Sequence, residues 1–140
     1  MNTAIFYPVF AQMILTIIMM VSMYRARRKA LLAGKAHYHD IALDSSKWPD
    51  SARKCANSYS NQFELPVLFY VLCLIAYQTA GAGYPMIVLA WGFVASRAVH
   101  AYIHATSNHV PRRAIAFTVG LLVIMAMMAY ILMHLLTLGV

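Results

Sequence analysis

Four stretches of the chain, about 3 to 24, 62 to 80, 84 to 106 and 114 to 138, are predominantly apolar. A helix of about 20 apolar residues is what the ~30 Å hydrocarbon core of a bilayer requires. No other feature narrows the fold so far. Inside lipid every backbone N–H and C=O must be bonded within the protein, so only helices or a closed barrel can span it, and these runs have helix length. In a chain of 140 residues they leave little room for anything else. The sequence therefore reads as one domain over 1–140: an all-α integral membrane protein, a four-transmembrane-helix bundle. With 62% hydrophobic and 11% charged residues, against about 25% charged in soluble domains, a soluble globule and a disordered chain are both excluded.

The sparse charge sets an orientation. Arg25, Arg27, Arg28, Lys29, Lys35, Lys47, Arg53 and Lys54 follow the first span, Arg112 and Arg113 precede the fourth, and neither the connection near Gly81 and Gly83 nor either terminus carries a basic residue. The positive-inside rule then places the first and third connections in the cytoplasm and both termini outside. The RARRKA run follows the first span instead of preceding it, the reverse of a secretory signal peptide, so that span is expected to be retained. The formal charge of +7 gathers beside apolar spans, which suits contact with membrane lipids and argues against nucleic acid. Cys55 and Cys73 make no disulfide framework or metal spacing and read as small apolar residues. After Pro49 the stretch from Asp50 to Gln62 is expected to be a helix that continues without interruption into the second span.

Ionisable groups inside a span cost ~2.5–3.5 kcal/mol each on insertion scales, so each needs a partner or a purpose. Arg53, Asn57, Asn61 and Glu64 fall on one face of the second helix, and Arg97, His100 and His104 on one face of the third. The second helix runs away from the basic end and the third returns to it. Glu64 and Arg97 therefore lie at similar depth and are expected to pair. Such a pair can simply lock two helices together, but two Asn, two His and a following Arg pair describe a larger polar pocket. His100 and His104 have the i, i+4 spacing of two metal ligands, yet no carboxylate or Cys shares it, and no metal site is expected. His134, near the outer end of the fourth span, reads as an interfacial residue.

These residues together resemble the MAPEG superfamily, the membrane-associated proteins of eicosanoid and glutathione metabolism. The likeness is collinear from the first span to the start of the fourth. It rests on RARRKA from Arg25, on NQFE from Asn61 to Glu64 followed by Pro66, and on RAVHAYIH from Arg97 running on to VPRR at Val110 to Arg113. NQFELPVLFY looks like a divergent bacterial branch. The resemblance implies a homotrimer with glutathione, or another low-molecular-weight thiol, held between subunits on the cytoplasmic side. It makes Arg113 the catalytic residue that favours the thiolate, and Arg25, Asn61, Glu64, Arg97, His100 and His104 the residues that bind the cofactor. The implied activity is a transferase or peroxidase acting on lipophilic small-molecule electrophiles, in the cytoplasmic membrane if the source is bacterial. Four positions depart from the family pattern: Asn57 stands where the family has Arg, His104 where it has Tyr, Ala114 where a hydroxyl residue often follows the catalytic Arg, and Pro66 lies closer to Glu64 than in the animal enzymes. A non-catalytic binding or regulatory trimer is the alternative these departures leave open. A small exporter of dual topology is disfavoured by the ten-to-none bias of the loop cations.

Overall fold

The structure, a computed structural model, describes residues 2–138. Helix α1 is Phe6–Leu32, preceded by a 3-10 turn at Thr3–Ile5; the short α2 is Tyr38–Ile41; α3 is Asp50–Ser60, α4 Leu65–Gln78, α5 Tyr84–Ala105 and α6 Val110–Thr137. The described residues contain helices and no strand. Four segments are long and apolar enough to cross a membrane: Thr3–Leu32, Asp50–Gln78, Tyr84–Ala105 and Val110–Thr137. The chain is an integral membrane protein.

Two helices extend past the expected spans for local reasons. α1 continues through the basic run because Arg25 to Leu32 are nearly all good helix formers. It ends where Gly34 takes φ +66°, with Lys35 N–H donating to the Ala30 carbonyl and Gly34 N–H to that of Leu31. This is a left-handed glycine cap, which a side chain would strain. α6 begins at Val110, ahead of the expected 114, because Pro111 fits the first turn and the His109 ring accepts from Arg112 N–H.

The largest departure is in the second span. The expected uninterrupted helix is corrected here: α3 ends at Ser60, a 3-10 turn covers Asn61–Phe63, and Glu64 leaves helical geometry at φ −95°, ψ −103° before α4 begins. Pro66 has no N–H to offer the Gln62 carbonyl, and a continuous helix would drive its ring against that oxygen. In the first turn of α4 the missing donor costs nothing.

α5 is the central helix, packed on α1, α3, α4 and α6, while α6 leans on α5 and α4. Phe69 of α4 stacks on Phe93 of α5, centroids 4.6 Å apart, and Met86, Ala90, Ile124, Met127 and Ile131 close around them. At the end opposite the basic loops, the turn between α4 and α5 is held from α6. The Thr79 carbonyl can only accept, so His134 Nε2–H donates to it at 2.9 Å. Gly81 lies against that ring, where an added Cβ would come within 2.7 Å of it. His134, expected to be interfacial, thus pins a turn. In the first loop Asp44 caps the 3-10 turn Ser45–Lys47. The side chain and then the backbone N–H of Ser46 hold its carboxyl below the usual range.

Candidate functional site

The break in the second span creates the site's first feature. In an intact helix the Asn61 carbonyl would accept from Leu65 N–H; here it accepts from Arg97 Nη2 at 3.1 Å. The same Nη2 donates to Asn61 Oδ1, and Asn61 Nδ2 donates to Glu64 Oε2 at 2.6 Å. The expected direct Glu64–Arg97 ion pair is therefore corrected: Asn61 stands between the two as a relay. Among the described residues the carboxylates within ion-pair distance of a basic side chain are Asp50, with Arg53, and Asp40, beside the His39 ring. Arg97 is 0% exposed, and its Nε and Nη1 have no partner.

One turn and then two further along α5 come His100 and His104, both buried, their rings edge-on with centroids 5.6 Å apart. His100 Nδ1 lies 3.1 Å from the Arg113 carbonyl. A carbonyl only accepts, so Nδ1 carries the proton and Nε2 presents a lone pair in the neutral ring. Nε2 of His100 and Nδ1 of His104 are buried without partners. Arg113 is aimed by the loop before it: Asn108, at φ +50°, ties its N–H to the Ile103 carbonyl and accepts from Arg113 Nη1 at 2.7 Å. Asn is among the few residues that tolerate this left-handed conformation.

Asn61, His100, His104, Arg113, Ala114 and Phe117, with Val110 and Thr118, line a cleft of about 270 Å³. Arg97 backs it through Asn61 and through the Phe117 ring, 6.0 Å from its guanidinium carbon. Glu64 is exposed and joins through Asn61 alone. Arg113 also lies in the first turn of α6, where the helix dipole adds to its attraction for an anion. The site thus gathers cations, a lone pair and unpartnered buried groups, a set able to bind a small molecule bearing carboxylates and amide N–H groups.

Arg25 does not join the cleft within one chain. It is exposed on α1, in a separate depression with Tyr24, Arg28 and Lys29. The face predicted to carry Arg53 and Asn57 toward the site ends at the helix break. Arg53 pairs with Asp50 at 3.5 Å, and Asn57 borders a small depression with Arg27 and Trp48. His37 and His39 are exposed. Among the described residues no three His, Cys, Asp or Glu gather as metal ligands, and Cys55 and Cys73 are free thiols.

Sequence reasoning missed a second polar cluster behind the break. Gln12 Nε2 donates to Gln62 Oε1 at 3.0 Å, and Gln62 Nε2 donates to the Ser58 carbonyl at 3.1 Å. Ser58 Oγ lies 3.4 Å from the Ala101 carbonyl. All three side chains are at most 1% exposed, and they tie α1, the break and α5 together. A lone Gln in the middle of an apolar span was the available signal; Thr16 and Ser22, which bond back to carbonyls of their own helix, carried none.

A family model described as the MAPEG family matches residues 5–133. Comparison with curated proteins gives no match, and neither does comparison with solved structures.

Proposed function

The chain belongs to the MAPEG family, and from that premise we propose that it is a glutathione-dependent transferase of the cytoplasmic membrane acting on lipophilic electrophiles. The observation that carries the reading is the set of unpartnered buried atoms on Arg97, His100 and His104 around a cleft that Arg113 lines. Buried polar groups are rarely left unsatisfied without a reason, and this set matches the carboxylates and amide hydrogens of glutathione. Arg113, which lines the cleft, would bind carboxylate or thiolate, Arg97 would support it from behind through Asn61, the His100 lone pair would accept from an amide or amine, and Asn61 with Glu64 would orient the peptide's amino end. Glutathione supplies a thiol nucleophile when bound; Arg113 then stabilises the anionic form as the proton leaves to water. Ligand sites usually measure ~300–1,000 Å³, and one chain offers about 270 Å³. That volume sits at the lower edge of the usual range, and Arg25, standing apart on α1, is the group we assign to a second subunit's contribution in a homotrimer. A lipophilic substrate would enter from the bilayer along the exposed apolar face of α6, beside Ile115, Val119 and Leu122.

The test is native mass spectrometry in detergent with glutathione titrated to about 10 mM, since affinities near 1 mM correspond to ~4 kcal/mol. A trimer that takes up glutathione is expected; a monomer with no adduct would overturn the reading. The orientation is checked separately. Reporters fused at Gly81 and after the last residue are expected to read external, because all ten loop cations lie at the other end. A cytoplasmic reading at either position would put the cleft on the wrong face for a cytosolic thiol.

A further inference from the structure

We infer that the basic end of α1 is a binding site for an anionic phospholipid, its phosphate against Arg27 and Arg28 and an acyl chain along α1. The inference does not rest on the glutathione reading, since none of these residues lines the cleft beside Arg113.

Depth comes first. α1 has 27 residues and so runs about 40 Å, some 10 Å more than the hydrocarbon core. Its apolar run reaches Tyr24, which leaves Arg25 to Lys29 at headgroup level. There a depression of about 420 Å³ is bounded by Tyr24, Arg27, Arg28, Leu32, Tyr38 and Trp48. Arginines fork onto phosphate oxygens, and Tyr and Trp are the residues favoured at the bilayer interface.

The charge there is uncompensated. The Arg27 guanidinium lies over the Trp48 ring, 5.1 Å from its centroid, and its buried Nε has no partner. Only four acids exist in the chain: Asp40 beside His39, Asp44 bonded to Ser46, Asp50 near Arg53, and Glu64 bonded to Asn61. None of the four lines the depression, and an anionic headgroup brings the charge these arginines lack.

Below the depression an apolar stripe continues on the same face of α1. Val21, Ile17, Ile14 and Phe10 lie 3, 7, 10 and 14 residues before Tyr24 and are 44%, 54%, 57% and 59% exposed. At 1.5 Å per residue this stripe descends about 21 Å from Tyr24. A free phosphate would use the arginines and ignore the stripe; a phospholipid uses both.

The experiment is native mass spectrometry of the purified full chain in detergent, titrated with phosphatidylglycerol or with phosphatidylcholine of the same acyl chains. Phosphatidylglycerol is expected to be retained preferentially. The double change R27Q/R28Q is expected to weaken retention by more than about tenfold, and R28Q alone by about fivefold, since each juxtamembrane cation contributes on the order of 1 kcal/mol. R28Q changes an exposed side chain and guards against loss of the Arg27–Trp48 contact being read as lost binding. The charge-matched control K47Q/K54Q, outside the depression, should change retention by less than about twofold. Equal retention of the two lipids would overturn the proposal, as would equal losses in R27Q/R28Q and K47Q/K54Q. So would displacement of phosphatidylglycerol by inorganic phosphate, which would mark a free-anion site. A change in oligomer mass with lipid retention intact would assign the face to subunit contact and overturn it as well.

Discussion

Arg113→Ala is expected to remove the thiolate signal of bound glutathione at pH 7 and to slow conjugation of an electrophile by at least about tenfold, while leaving binding measurable. A free thiol with a pKa near ~8.5 is only a few per cent ionised at neutral pH. A guanidinium beside it in a partly dry site can bring that value to ~7 or below, so that half or more is thiolate. Removing the cation returns the thiol toward ~8.5. The sign in a pH profile follows directly: the wild-type rate should level off near neutrality, and that of the variant should go on rising through pH 8. Binding should persist because His100, His104 and Asn61 still line the cleft. Thiolate absorbance and the pH dependence of the conjugation rate measure this together. An unchanged profile in Arg113→Ala would remove Arg113 from the chemistry. Binding with no thiolate signal even in the wild type would favour the non-catalytic trimer, in which Asn57 and Ala114 stand in place of the family's Arg and hydroxyl residue.

The spans were legible because lipid tolerates so few backbone solutions: four helix-length apolar runs in 140 residues leave no competing fold. The ends were less so. Leu32 and Val110 became helical through propensity and capping, which an apolar window does not register. The break at Glu64 had its signal in Pro66, but a proline can also kink a helix that continues, and the choice here goes with the use Arg97 makes of the freed Asn61 carbonyl. Arg97, His100, His104 and Arg113 come together because α5 and α6 meet across a loop of four residues, Thr106–His109, so spacing along the chain translated into proximity. Arg25 did not follow them. Its distance from the cleft within one chain cannot be read from a basic run, since that depends on which helices neighbour α1 in space. The Gln12–Gln62 bond was illegible as a pair because the residues are 50 positions apart, although each was costly enough alone to demand a partner.

Asn61→Ala is expected to be the most destabilising single change at the site, by about 3–5 kcal/mol, because it strips a buried guanidinium of its side-chain acceptor. Arg97 already lacks partners at Nε and Nη1, so without Asn61 Oδ1 it keeps a single backbone carbonyl. The double change Asn61→Leu with Arg97→Met removes the buried charge together with its acceptor. It should recover most of the loss, since an apolar replacement of similar volume no longer needs solvation. Glu64→Gln, by contrast, should cost less than about 1 kcal/mol: Glu64 is exposed and its Oε2 meets only the Asn61 amide. Unfolding in mixed micelles without glutathione, run as a double-mutant cycle, separates these outcomes. A Glu64→Gln penalty as large as that of Asn61→Ala would mean that Glu64 neutralises Arg97 directly and that Asn61 is not the relay. A cycle in which the Asn61 and Arg97 changes simply add would mean that the freed carbonyl and the amide do not hold the guanidinium, and that the break in the second span serves α4 alone.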